Sequence, residues 1–177
     1  MGEELLRGMA DRSVVFGGHP VTLVGPEIRP GDKAPEFSLV DPDLKEHHLG
    51  STQGKIRLIS VVPSLDTGVC NIQSRRFDQE AKQLSEDVVL VTVSMDLPFA
   101  QKRWQKEAGA DRTVLLSDHR EASFGTAYGT LIKGLRLEAR ATFVVDRAGV
   151  VRHAEYVPVV SEEPNYERAL AAVRKAL

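Results

Sequence analysis

Cysteine is the scarcest reactive residue in this chain: among 177 residues there is one, Cys70. One thiol cannot close an intramolecular disulfide, so no covalent staple holds the fold, and the composition suits a reducing compartment. Long apolar runs are missing too. No segment approaches the roughly 20 residues needed to cross a bilayer. Met1-Gly2-Glu3-Glu4-Leu5-Leu6 has neither the basic start nor the apolar core of a signal peptide, which makes the cytoplasm the expected location. Neither sign of charge is in excess: 23 basic and 25 acidic residues are interleaved, for a net charge of -2. That balance leaves no electrostatic footprint for nucleic acid or an anionic membrane surface. Repeats and low-complexity segments are absent. His19, His47, His48, His119 and His153 lack a spacing diagnostic of a metal site or a catalytic base. His47 and His48 read as a solvated pair in a polar loop, and no metal or organic cofactor is expected.

What remains is enough for one domain with a continuous core, since 42% of the residues are hydrophobic. Residues 1–12 read as a flexible or short helical leader and residues 13–177 as the domain. Ser13 to Phe16 and Val21 to Val24 flank Gly17-Gly18-His19-Pro20, the signature of an N-terminal hairpin over 13–24. Phe37 to Val40 reads as a strand. Lys55 to Val62 is a nearly continuous β-branched run of the kind buried on both faces of a sheet. Asn71 to Glu86 turns helical, with Phe77, Ala81 and Leu84 inward and Arg75, Arg76, Asp78 and Lys82 facing water. Val88 to Ser94 is a second buried strand, and Pro98 opens a helix running through Ala108. Thr113 to Leu116 is a strand and Arg120 to Tyr128 a short helix. Arg140 to Val145 pairs with Val150 to Val157 as an antiparallel hairpin. Pro164 opens a last helix that places Tyr166, Leu170, Val173 and Leu177 on one face. Strand-helix alternation of this kind gives the α/β class, and periodicity alone goes no further.

The run Pro63-Ser64-Leu65-Asp66-Thr67-Gly68-Val69-Cys70 carries the chemistry, because it delivers the thiol from a buried strand to the start of a helix. A helix N-terminus offers unpaired N–H groups and partial positive charge, both of which favour a thiolate. A lone cysteine is more often a small buried hydrophobe, but such a residue does not require proline, threonine and glycine crowded before it. Thr67, one turn earlier, is placed to aim its hydroxyl at the sulfur, or to cap the helix, as Asp66 also is. Pro63 ends a strand. Arg140 shares a strand face with Thr142 and Val144, and a surface arginine is its default reading.

The string PSLDTGVC resembles the active-site loop of the peroxiredoxins, in particular their thiol peroxidase branch. Gly31 to Phe37, the segment Asp96-Leu97-Pro98-Phe99-Ala100-Gln101, and Lys133 to Ala141 resemble further segments of that family in the same order. The resemblance implies an α/β thioredoxin-like sandwich, a central mixed sheet flanked by helices with an N-terminal β-hairpin added. It also implies a peroxidase in which the Cys70 thiolate reduces hydrogen peroxide or organic (alkyl or lipid) hydroperoxides through a sulfenic acid. Thr67 and the N–H groups near Val69 and Cys70 would hold the peroxide. Arg140 would contact the thiolate, and Pro63 would shield the sulfur. A homodimer is implied as well, with no nucleic-acid or membrane partner. Members commonly carry a resolving cysteine just after the DLPFAQ segment, where this chain has Gln105. A one-cysteine cycle follows, completed by an external thiol such as thioredoxin, glutathione or another thiol. The alternative is a thioredoxin-like redox sensor oxidised at Cys70 that signals to a partner without turnover.

Overall fold

The computed structural model of the protein describes residues 11–177. The expected leader therefore lies outside the described residues, apart from Asp11 and Arg12, and Arg12 already belongs to the first strand. β1 (Arg12–Phe16) and β2 (His19–Val24) pair antiparallel from Arg12 opposite Leu23 to Phe16 opposite His19. Gly17 and Gly18 close the hairpin with φ of 58° and 82°, the left-handed pair that a two-residue turn matching strand twist requires. The hairpin continues into β8 (Leu131–Ile132) and β9 (Leu137–Glu138), making a four-stranded sheet in the order β1-β2-β8-β9.

The main sheet has seven strands. β5 (Ile56–Val61), β6 (Val88–Ser94) and β7 (Thr113–Ser117) run parallel at its middle. β10 (Ala141–Val145) and β11 (Val151–Tyr156) extend it antiparallel on one side, and β3 (Ser38–Val40) and β4 (Glu46–His48) on the other. The order is β11-β10-β5-β6-β7-β3-β4. Four α-helices, α1 (Gly68–Ala81), α2 (Pro98–Ala108), α3 (Ser123–Tyr128) and α4 (Tyr166–Ala176), and a short 3-10 helix at Leu49–Thr52 complete the elements of the described residues. None of them is long and apolar enough to cross a membrane.

Because side chains alternate along a strand, β5 and β6 feed two separate cores. Ile56, Leu58, Leu90 and Val144 face Phe77 and Ala81 of α1 and Tyr166, Leu170 and Val173 of α4. Ile59, Val61, Val91, Val93 and Phe143 face Phe37, Phe124 and Tyr128 on the other side. Every residue of β5 is buried, which is why the run lacks a polar alternation. Each aliphatic side chain so buried contributes about 1.5–3 kcal/mol. On the α1 side the strands turn polar towards one end: Ser60, Thr92 and Thr142 are all fully buried. Thr142 lies directly opposite Ser60. Polar residues at the carboxyl edge of parallel strands mark the usual place for a site in an open α/β sheet.

Five expectations need correction. α1 spans Gly68–Ala81, shifted earlier than the expected 71–86. Its Asp78 is buried where water was expected, because its carboxylate accepts the amides of Arg112 and Thr113 at 2.9 Å each and so ties the helix to β7. The helix expected from Arg120 starts at Ser123, where the Asp118 carboxylate accepts the amides of Phe124 and Gly125. His47 and His48 belong to β4 and are paired with Asp41 at 2.8 Å and Glu46 at 3.2 Å. Leu177, expected on the inner face of α4, is exposed.

A second acid joins Asp118. Glu138 is fully buried, accepts the Thr130 hydroxyl on Oε2, and has no donor on Oε1 among the described residues. Both carboxyls converge on Gly125: its amide donates to Asp118 Oδ2 at 2.8 Å, and a Cβ there would lie 2.8 Å from Glu138 Oε1. Burial pushes both acids up, Glu138 well above the usual carboxylate range, and the neighbouring Asp118 adds to the rise at Glu138. A folded-state value above the unfolded one means stability that is complete below the unfolded value and is lost as pH rises through the folded one. Urea midpoints measured from about pH 5 to about pH 9 should therefore fall towards alkaline pH, and Glu138→Gln should flatten that slope. An unchanged slope in the variant would assign the effect to other groups.

Candidate active site

β5 ends at Val61, and the chain crosses Pro63 to Thr67 before α1 begins, so the parallel sheet aims the loop at the carboxyl edge. Cys70 is the third residue of α1. The first helical bond runs from the Asn71 amide to the Thr67 carbonyl at 3.0 Å, and the amides of Gly68, Val69 and Cys70 have no acceptor among the described residues. Cys70 is fully buried against Val62, Leu65, Trp104 and Leu115. On its other side Arg140 donates from Nη2 to the sulfur at 3.3 Å. Arg140 is only 2% exposed. Its remaining bonds go from Nη1 to Gln73 Oε1 at 2.7 Å and from Nε to the Val160 carbonyl at 2.9 Å. Gln73 in turn donates from Nε2 to Ser60 Oγ at 2.8 Å.

No carboxylate among the described residues touches this guanidinium. A charge buried without a counter-charge costs several kcal/mol, and of the three groups that Arg140 contacts only the Cys70 sulfur can become an anion.

The loop is held from below by Asp96. Its carboxylate accepts Ser64 Oγ at 2.6 Å, the Leu65 amide at 2.8 Å and Ser94 Oγ at 2.7 Å, and its carbonyl accepts Ser117 Oγ. Gln101, five residues on, donates to Ser94 Oγ and to the Leu116 carbonyl. The segment from Asp96 to Gln101 is thus a clamp between the sheet edge and the cysteine loop. Above the loop lies a mainly apolar cavity of about 390 Å³, whose lining includes Phe16, Pro63, Thr67, Val69, Leu137 and Arg140. Phe16 and Leu137 come from β1 and β9, so the two edge strands of the small sheet supply one wall.

The sequence profile of the redoxin family matches residues 29–170. The chain belongs to the redoxin family. Within it, a thiol peroxidase of Listeria monocytogenes is 54% identical over 163 residues, covering 92% of this chain and 98% of that protein. A thiol peroxidase of Bacillus subtilis is 50% identical over 161 residues, covering 91% and 97%. A peroxiredoxin-like protein of Aquifex aeolicus has the same fold, with a TM-score of 0.87 and 40% identity, over 94% of this chain and 98% of that one. This redoxin is a peroxidase enzyme of the thiol-dependent kind, and its fold is the thioredoxin-like one that the resemblance implies.

Cys70, Thr67, Val69, Arg140 and Pro63 therefore meet at one place in this redoxin. Pro63, Thr67, Val69 and Arg140 line the cavity together, and Arg140 contacts Cys70. The Thr67 side chain departs from expectation. It sits at the N-cap position, yet its hydroxyl makes no cap bond and donates to the Ser64 carbonyl at 3.1 Å instead of to the sulfur. Asp66 does not cap either; it pairs with Arg103 at 3.0 Å. None of the five histidines hydrogen-bonds to Cys70, so a cysteine-hydrolase arrangement has no base here. Gln105 donates to the carbonyls of Ala110 and Thr113, closing the end of α2.

Two residues of the site escaped sequence reasoning. Gln73 follows Cys70 by three positions, a spacing that puts both on one helix face, but a glutamine in a polar helix carries no signal of burial. Asp96 was legible only as part of a motif. The clamp predicts that Asp96→Ala costs about 2–4 kcal/mol of stability, since several bonds to a charged group are lost and buried donors are left unpaired. Amide exchange at Leu65 should accelerate in the same variant, and unchanged protection there would contradict the clamp.

Proposed function

We propose that Cys70 is the peroxidatic cysteine of a one-cysteine cycle that reduces hydrogen peroxide and organic hydroperoxides, alkyl or lipid. The observation that carries this reading is the buried Arg140 guanidinium 3.3 Å from the Cys70 sulfur, with no carboxylate among the described residues to balance it. A thiolate supplies the balancing charge and is the nucleophilic form of sulfur. It attacks the terminal oxygen of the hydroperoxide. The S–O bond forms as the O–O bond breaks, sulfur is oxidised to sulfenic acid, and the leaving oxygen departs as hydroxide or alkoxide and takes a proton from solvent.

Each neighbour has a part in that step. The Thr67 hydroxyl hydrogen is committed to the Ser64 carbonyl, which leaves lone pairs to accept the O–H of the hydroperoxide. The free amides at Val69 and Cys70 and the Arg140 guanidinium donate to the peroxide oxygens as negative charge moves onto the leaving one. Pro63 closes one side of the site and limits water at the sulfur. The apolar cavity wall suits an organic substituent.

With one cysteine in the chain, the cycle is completed from outside. A first thiol condenses with the sulfenic acid, releasing water and leaving a mixed disulfide. A second thiol displaces Cys70 as thiolate and departs as the oxidised disulfide. Thioredoxin, glutathione or another cellular thiol fits this part, and a cytoplasm that keeps thiols reduced is the matching compartment. A homodimer belongs to the same reading, with exposed Ile72, Leu97 and Phe99 on and beside α1 and α2 as apolar surface to cover.

The test mixes reduced protein with substoichiometric cumene hydroperoxide or hydrogen peroxide, and reads Cys70 by intact mass and sulfenic-acid trapping. One added oxygen at Cys70, formed far faster than on free cysteine, and steady turnover with excess thiol are the expected results. Cys70→Ser should abolish turnover with the fold retained, and normal turnover in that variant would sink the reading. Arg140→Gln should slow oxidation by roughly 10²-fold, the usual loss for a preorganised donor at developing charge. Oxidation followed by capture of a partner protein without turnover would instead select the sensor.

A further inference from the structure

We infer that Gln73 is the positioning residue for the reaction: it fixes Arg140 against Cys70 and, being uncharged, leaves the whole guanidinium charge for the sulfur. The inference rests on Cys70 being the peroxidatic cysteine. Gln73 is fully buried on α1, and both ends of its amide are used. A guanidinium only donates, so the oxygen must face Arg140 and the nitrogen must face Ser60, whose hydroxyl accepts. The 2.7 Å and 2.8 Å contacts fit that single orientation. Ser60 is itself buried at the end of β5, opposite Thr142 on β10. The brace therefore runs from the middle of the main sheet through Gln73 to the guanidinium, while the Val160 carbonyl holds Nε from the other side. These two contacts leave Arg140 one direction for its free Nη2 edge, and the Cys70 sulfur lies there at 3.3 Å.

The lack of charge on Gln73 matters as much as its position. A glutamate would fill the same volume and bind Arg140 more strongly, because bonds between a guanidinium and a carboxylate are charge-assisted. It would also neutralise the cation next to the sulfur, and a nearby negative charge disfavours a second one. The amide gives the geometry of that bond without its charge.

Two variants of the full chain separate this role from simple core packing: Gln73→Glu, which keeps the shape and adds a charge, and Gln73→Met, which keeps the length and removes the acceptor. The readouts are the rate of Cys70 oxidation by hydrogen peroxide, from rapid quench and intact mass, and the pH dependence of Cys70 alkylation by iodoacetamide. Gln73→Glu should move the alkylation midpoint to higher pH and slow oxidation at pH values below that midpoint, by about 10-fold for each pH unit of displacement. Gln73→Met should slow oxidation with a smaller displacement of the midpoint. Both variants oxidising at the wild-type rate with an unmoved midpoint would overturn the inference. If Gln73→Glu does not fold, the methionine variant decides alone. Failure of the wild-type protein to form a sulfenic acid would refute the reading of Cys70 and leave the assignment of Gln73 without a reaction to serve.

Discussion

A positive charge is buried in this protein where no negative side chain among the described residues meets it. Arg140 is almost inaccessible, and its contacts are a carbonyl, an amide and a thiol. Interiors tolerate such a group only when its hydrogen bonds are complete and its charge is answered. Much of the surrounding architecture can be understood as meeting those two demands. The strand order brings β10 beside β5, so that Arg140, at the entrance to β10, comes level with the loop leaving β5. The helix that follows the loop then presents Cys70 and Gln73 from one face.

The rigidity of the arrangement comes from outside the contact itself. Asp96 gathers Ser64, Leu65 and Ser94, which welds the cysteine loop to the end of β6. Asp78 does the same at the far side of α1 by accepting two amides at the start of β7. Trp104 donates its indole N–H to Asn71 Oδ1 at 2.9 Å, fastening α2 to the first turn of α1. These are polar ties between elements that already share apolar cores, and each fixes an angle that hydrophobic burial alone leaves free.

The sequence was most readable where a single local rule decides the outcome. Gly17-Gly18 makes a tight hairpin turn because both positions need positive φ, and the β-branched run from Ile56 to Val61 is buried on both faces, as its lack of alternation implies. Cys70 stood out for the crowding of special residues before it. Legibility failed where a polar side chain is satisfied by a distant part of the chain. Asp78 looks like a solvent-facing residue until the amides of Arg112 and Thr113 arrive, and Glu138 gives no sign in its own neighbourhood that Asp118 and Thr130 will surround it. The Thr67 hydroxyl failed differently: its spacing from Cys70 is right, but the closer Ser64 carbonyl takes the hydrogen.

The hairpin at the start of the described chain carries a further meaning. Phe16 and Gly17 stand at its tip and also line the cavity beside Pro63, Thr67 and Arg140; the space a Cβ would occupy at Gly17 and Gly18 is open, but their positive φ would strain any other residue there. Surface turns are where natural sequences accept insertions and exchanges most readily. One wall of the cavity is thus built from a surface turn, and the wall that carries Arg140 from the buried interior. A change of side chain at Phe16 therefore reshapes that wall without touching the buried charge or its brace.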